Sequence, residues 1–327
     1  MVFGVNDSLS LRACPAPPSA PAPVPAPGGL RRATAIGLVA VLCWSATVGL
    51  IRSVSEALGA VGGAAVLYSV SAALVLAVQG VPRVAQLRAV SRVYLLGCGL
   101  LFALYEICLS VAIGLAQDRA QSLELGMINY LWPSLTIVLA VLCRQQRARW
   151  WLWPGVALCV WGLARVLGGD GAAAGAPPWW QALGANMLRN PLAYALAFGA
   201  AVLWPTYSVL SRVYGRGFNG VGLFLLLTAA ALWVQWLAGS APPMAWSWSV
   251  ALQVLAIGAS TALGYSCWEH GIQRGHLAVL AAGSYFTPVL SALWASAWLA
   301  VRPGWPFWQG VALVTAGSLA CWGATRR

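Results

Sequence analysis

The chain contains no lysine and very little acid. Its 327 residues carry 19 basic side chains, all arginine, against 7 acidic ones, and charged residues make up only 8% of the sequence. A soluble domain of this length needs far more charge on its surface, so the shortage excludes one. Histidine occurs only twice, at His270 and His276. No His-x-x-x-Asp, His-Glu-x-x-His, Gly-x-Ser-x-Gly or phosphate-binding loop is present, which leaves no catalytic residues to assign. The 8 cysteines are scattered, mostly inside apolar stretches (Cys43, Cys98, Cys108, Cys159, Cys267, Cys321), with no Cys-x-x-Cys pair. They read as small apolar filler rather than disulfides or a metal site, and no cofactor or metal is expected. A charged ring of the kind that lines a pore is also missing.

What is plentiful is hydrophobic side chain, at 60% of the residues with a mean hydropathy of +0.76. Lipid solvates the outer faces of such a chain, so it needs no polar coat. Residues 1–30 differ in kind. The run ACPAPPSAPAPVPAPGG has no apolar core of a signal peptide and predicts a disordered tail, partly polyproline II. A misplaced start codon would account for it equally. Beyond it, ten apolar stretches lie at roughly 33–51, 61–79, 93–116, 121–142, 150–168, 191–211, 219–238, 249–272, 276–299 and 306–325. Each is close to the ~20 residues that cross a bilayer as a helix.

Loop arginines set the orientation. With the N-terminus inside, fourteen fall on the inner side: Arg12, Arg31, Arg32, Arg83, Arg88, Arg92, Arg144, Arg147, Arg149, Arg212, Arg216, Arg274, Arg326 and Arg327. Five fall outside: Arg52, Arg119, Arg165, Arg189 and Arg302. The bias places both termini in the cytoplasm. Because the arginines sit in short loops between apolar stretches, they signal topology and not a nucleic-acid partner. Trp150, Trp151, Trp153, Trp246 and Trp248 stand at helix starts, where they anchor to the interface.

The sequence repeats itself. WPGVALCVWG at 153–162 matches WQGVALVTAG at 308–317 at six positions, and Tyr130-x-x-Pro133 returns as Tyr285-x-x-Pro288 at the same offset of 155. Trp44…Arg52 returns as Trp204…Arg212 at an offset of 160. Residues 31–168 and 191–327 are therefore expected to be two five-helix repeats joined by a linker at 169–190. Five is odd, so the second repeat enters the membrane upside down, the arrangement of alternating-access transporters. The expected fold class is all-α, a polytopic membrane protein of ten transmembrane helices in two inverted repeats.

The repeat also points to a site. A proline inside a helix frees the carbonyl four residues earlier, here Asn129 and Ser284. In hydrocarbon such a carbonyl needs protein or a wet cavity to face. Pro133, Pro288 and Pro205, which is expected to interrupt the sixth stretch, are candidate hinges. Glu106 lies mid-depth within YEICLS. A charge there is costly, which makes it either a functional acid or a neutral one bonded to a helix backbone. Glu124 is a helix-start acid that could equally contact substrate, and Glu56 and Glu269 are read as interfacial. Tyr68, Tyr105, Tyr130, Tyr265 and Tyr285 each carry a hydroxyl that must find a partner. Trp44, Trp204 and Tyr207 are repeat-related aromatics that could stack on a ligand, although most of the 19 tryptophans must simply pack or face lipid. The candidate substrate-binding set is Trp44, Tyr68, Tyr105, Glu106, Asn129, Tyr130, Trp204, Tyr207, Tyr265, Ser284 and Tyr285.

The segments WSATVGLIRSVSEALGAVGGAAVLYS, YEICLS, ELGMINYLWPSLTIVLAVL, RGFNG, GSYFTPVLSAL and the final ATRR resemble the drug/metabolite transporter superfamily, EamA type. They are spread from Trp44 to Arg327, over the range of the ten stretches. The resemblance implies cytoplasmic termini, a cavity between the halves, residence in a bacterial inner membrane and export of aromatic and other apolar amino acids. Partners would be the amino acid and the lipid bilayer, with no obligate protein partner. Other cargo on the same fold stays open at this point: cationic drugs would want an acid such as Glu106, and phosphorylated cargo would want a mid-span base. A membrane-embedded enzyme is the third class, and the missing motifs argue against it.

Overall fold

Every described element is a helix, and among the described residues there is no strand. The computed structural model describes residues 27–142, 148–167, 179–215, 217–239, 243–275 and 277–325. The tail to residue 26 and the linker from 168 to 178 lie outside the described residues. So do Arg12, Arg144, Arg147, Arg216, His276, Arg326 and Arg327.

Helices α1 (Pro27–Ser45) and α2 (Thr47–Leu58) meet at a 40° bend at Ala46. Gly59, at φ 78°, ends α2 and leads into α3 (Ala60–Gln79), a left-handed conformation that costs glycine nothing. A short α4 (Val84–Ala89) follows in a loop. A π-helical turn, Val93–Cys98, runs on into α5 (Gly99–Gly114). The Asp118 carboxylate accepts the Gln121 N–H at 2.7 Å and starts α6 (Arg119–Asn129). Then come α7 (Trp132–Leu142) and α8 (Leu152–Leu167). The end of the expected linker folds as α9 (Trp179–Arg189). The second half holds α10 (Pro191–Tyr214), α11 (Val221–Ala238), α12 (Trp248–Arg274), α13 (Leu277–Ser284), α14 (Thr287–Trp298) and α15 (Trp305–Ala324).

Five of these are long and apolar enough to cross a bilayer, and the bent pair α1–α2 makes a sixth. The chain is therefore a polytopic integral membrane protein. The stretches 121–142 and 276–299 each fold as two short helices, broken at Tyr130–Leu131 and at Tyr285–Phe286. Pro133 and Pro288 stand in the first turns of the second pieces, where a missing N–H costs no helical bond. The interruption expected at Pro205 is not a break: α10 runs through it. One lost bond in a helix of 24 residues leaves turns on both sides to hold it. Its repeat counterpart bends instead at Ala46, without a proline.

Four helix pairings dominate the packing: α8 with α15, α1 with α12, α3 with α11, and α5 with α10. The first is closest. A Cβ on Gly162 would lie 2.8 Å from the Gly310 carbonyl oxygen, and one on Gly317 would lie 2.7 Å from that of Gly155. Small residues let two backbones touch where lipid offers no hydrophobic drive. Outward-facing Leu42, Leu96, Val160, Val202, Leu226 and Leu255 are exposed as lipid-facing side chains would be. Trp150, Trp153, Trp246 and Trp248 are exposed at helix starts, as interfacial anchors would be.

At one end of the bundle, hydrogen bonds tie residues before and after position 190 together. Glu56 accepts two bonds from Arg119, at 2.9 and 2.7 Å, and one from Arg52 at 3.1 Å. Arg119 Nη1 also donates to the Leu299 carbonyl at the end of α14, at 3.1 Å. Asn190, just before α10, donates to the Leu115 carbonyl at 2.9 Å and to Gln121 at 3.0 Å.

Candidate functional site

A cavity of about 40 Å³ opens at the centre of the bundle, beside the bend of α1–α2 and the ends of α6, α7 and α14. Its walls include Trp44, Tyr68, Tyr105, Glu106, Asn129, Tyr130, Trp204 and Tyr265, eight of the eleven residues singled out in the sequence. Helical spacing collects them. On α5, Phe102, Tyr105, Glu106 and Leu109 share one face, and on α12, Thr261, Tyr265 and Trp268 do the same.

Trp204 is the hub of an aromatic box. Its ring centroid lies 5.8 Å from Trp44, 4.8 Å from Tyr105, 5.6 Å from Tyr265 and 6.1 Å from Trp132. Each such pair adds roughly 0.5–1.5 kcal/mol beyond burial. Trp44 and Trp204, paired by the repeat, thus meet edge to face. Tyr207 packs behind the box, 5.3 Å from Trp204 and 5.4 Å from Phe102. Ser284 and Tyr285 do not line this cavity. Tyr285 is buried instead among Ile137, Leu152, Cys321 and Ala324.

The polar part is small and incompletely bonded. Glu106 is 3% exposed. Its Oε2 accepts the Tyr68 hydroxyl at 2.6 Å. Its Oε1 is buried and has no hydrogen bond of good geometry, although the Tyr265 hydroxyl lies near the carboxyl. Asn129 Nδ2 reaches the Tyr105 hydroxyl only at 3.5 Å, and Asn129 Oδ1 is buried without a donor. The Thr287 hydroxyl and Trp44 Nε1 are buried and unpartnered too. Buried polar atoms almost always find a partner, so four orphans around one cavity call for a ligand or water. Among the described residues no basic side chain lines it. At about 40 Å³ the cavity admits two or three waters. Ligand pockets run from about 300 Å³ upward, so a larger guest needs the walls to part.

Sequence reasoning passed over Trp132, Thr261 and Thr287, all of which line the cavity. A signal existed for two of them, since Trp132 and Thr287 occupy the same place in the Tyr-x-x-Pro repeat. Glu124 does not line the cavity; the Tyr194 hydroxyl from α10 donates to its Oε2 at 2.6 Å. Gly264 seats the Trp44 indole, since a Cβ there would lie 3.0 Å from Trp44 Nε1 and 3.1 Å from Cys43 Cβ. Gly264→Ala is expected to tilt Trp44 and to change what the cavity binds while sparing the fold. Ligand affinity per folded molecule checks this, and wild-type affinity would show that the indole does not depend on that seat.

A profile of the EamA-like transporter family matches residues 191–322. The aromatic amino acid exporter YddG of Escherichia coli (strain K12) is 43% identical over 91% of this chain and 99% of its own length. The Salmonella typhimurium protein of the same name (strain 14028s / SGSC 2262) gives the same figures. The one from Ancylobacter novellus is 30% identical over 80% of this chain and 86% of its own. A solved crystal structure, 28% identical, superposes with a TM-score of 0.62 over 89% of this chain and 96% of that one.

Proposed function

The chain belongs to the EamA-like transporter family, and on that premise we propose that it exports aromatic and other apolar amino acids across a bacterial inner membrane. One observation carries the reading: an aromatic box closes around a buried carboxyl that keeps an unpaired oxygen. An amino acid ammonium would pair with Glu106, and an aromatic side chain would stack within Trp44, Trp204 and Tyr265. The identity to named exporters over nearly their whole length supports the same activity.

The route is alternating access of two inverted five-helix repeats. In that reading α6–α7 and α13–α14 are each one broken span, α8 and α15 complete the ten, and both termini are cytoplasmic. The packing supports it. Exchanging each helix for its repeat partner turns the α1–α12 pairing into α10–α5 and maps α3–α11 and α8–α15 onto themselves. Breaks just before Pro133 and Pro288, beside the cavity, suit hinge movement, and the Glu56–Arg119–Leu299 contacts would hold the outer side shut. No catalytic role is assigned to any residue.

The test is counterflow of labelled phenylalanine in proteoliposomes, competed by tryptophan or methionine. Saturable, competed uptake is the expected result, and its absence from well-folded protein would sink the proposal. A second reading is export of organic cations, favoured by a cavity whose described lining holds one acid and no base. A cation panel in the same vesicles separates the two.

A further inference from the structure

The two Tyr-x-x-Pro segments have diverged at one place that faces the cavity. The first reads Tyr130-Leu131-Trp132-Pro133 and the second Tyr285-Phe286-Thr287-Pro288. Trp132 and Thr287 are repeat equivalents, and both line the cavity. One therefore offers an aromatic wall, and the other a hydroxyl.

Thr287 is 1% exposed, and its Oγ1 has no hydrogen-bond partner. It is also the first residue of α14, a helix of 12 residues. The N-terminal turn of a helix carries partial positive charge and N–H groups without helical acceptors. Proline at 288 contributes no N–H, but Thr287 and Val289 do. A buried, unpartnered donor at the positive end of a helix is suited to an anion. Among the described residues, no arginine or histidine lines the cavity to take that role. Glu106 and the carboxyl-terminal end of α6 at Asn129, which line the same cavity, supply the opposite sign.

We propose that Thr287, with the first turn of α14, binds the carboxylate of the transported amino acid and makes the site selective for substrates that carry one. The inference rests on the amino acid reading above and assigns the half of the zwitterion that Glu106 cannot hold. It gives the substrate a direction: ammonium toward Glu106 and Asn129, carboxylate toward Thr287.

The experiment compares two competitors of labelled phenylalanine counterflow. Unlabelled phenylalanine has the carboxylate; phenylalaninol keeps the amine and ring but replaces the carboxylate with a hydroxyl. For wild type, phenylalanine is expected to compete about tenfold better, the scale of one hydrogen bond to a charged group. In Thr287→Val the gap closes because phenylalanine weakens while phenylalaninol holds its inhibition constant. Thr287→Ser restores the gap. A gap that survives in Thr287→Val overturns the proposal, and so does an equal loss for both competitors, which marks a packing role. Where Thr287→Val is too slow for flux, equilibrium binding of the two labelled ligands to detergent-purified protein gives the same ratio. No phenylalanine counterflow in wild type would fail the parent reading and this one together. Wild-type counterflow without a gap fails this one alone.

Discussion

Replacing Glu106 with glutamine is expected to lower phenylalanine transport at subsaturating substrate by about 30-fold or more, the lower end of what a buried charge pair loses when one partner is removed. Glutamine keeps the shape of the side chain and an oxygen to accept the Tyr68 hydroxyl, so the bond now 2.6 Å long can persist and the fold with it. What disappears is the charge. The carboxyl sits on α5 at 3% exposure, inside a cavity with no second acid among its lining residues. A substrate ammonium arriving there leaves water behind, and an unpaired charge in such a place is costly. The loss should therefore appear chiefly as a raised KM for substrates with an amine. Tyr68→Phe is the companion. It leaves the charge but frees the carboxyl to turn, and a smaller loss of several-fold is expected. Initial counterflow rates over a range of phenylalanine concentrations, normalised to folded protein, measure both. Wild-type kinetics in Glu106→Gln would make this acid a structural one, bonded to its neighbours and nothing else.

The class of this protein was legible in what the chain lacks. A sequence without lysine and with seven acids can be stable only where lipid covers it. The positions of the five long apolar helices were legible too, because each span must satisfy its own backbone bonds and must match the bilayer in length. The cavity was partly legible for a different reason. Tyr68, Tyr105, Glu106 and Asn129 each carry a polar group at a depth where it needs a partner, and all four line it. Tyr285 obeyed the same logic yet lies among Ile137, Leu152 and Cys321. Depth along the membrane can be read from a sequence, but the rotation of a helix piece about its axis depends on which neighbours it meets. Breaks loosen that rotation further. After the interruption at Tyr285–Phe286, Thr287 lines the cavity and Tyr285 does not. Pro205 shows the converse limit: proline marks where a helix can yield, and whether it yields is decided by the packing around it.

The other large effect belongs to the glycines of the repeated segments. Gly155 and Gly162 on α8 recur as Gly310 and Gly317 on α15, and the structure gives the repetition a physical meaning. Each glycine of one helix packs on a backbone group of the other. A Cβ at Gly310 would lie 2.5 Å from the Gly162 carbonyl oxygen, and one at Gly162 would lie 2.7 Å from the Val314 nitrogen. Backbone cannot swing aside as a flexible side chain can. Gly310→Ala is therefore expected to force α8 and α15 apart and to cost at least about 2 kcal/mol, with Gly310→Val costing more. Gly199 on α10 provides the control, since a Cβ there meets nothing within 4 Å. Gly199→Ala is expected to be neutral or to stabilise by up to ~1 kcal/mol, the ordinary helix preference for alanine. Thermal unfolding of detergent-purified protein separates the two. Pairing Gly310→Ala with Gly162→Ala should cost less than the two single losses together, because helices already separated by one methyl have room for the other. Additive losses would mean that the two glycines act at separate contacts. An unperturbed Gly310→Ala would mean that α8 and α15 do not approach this closely in the membrane.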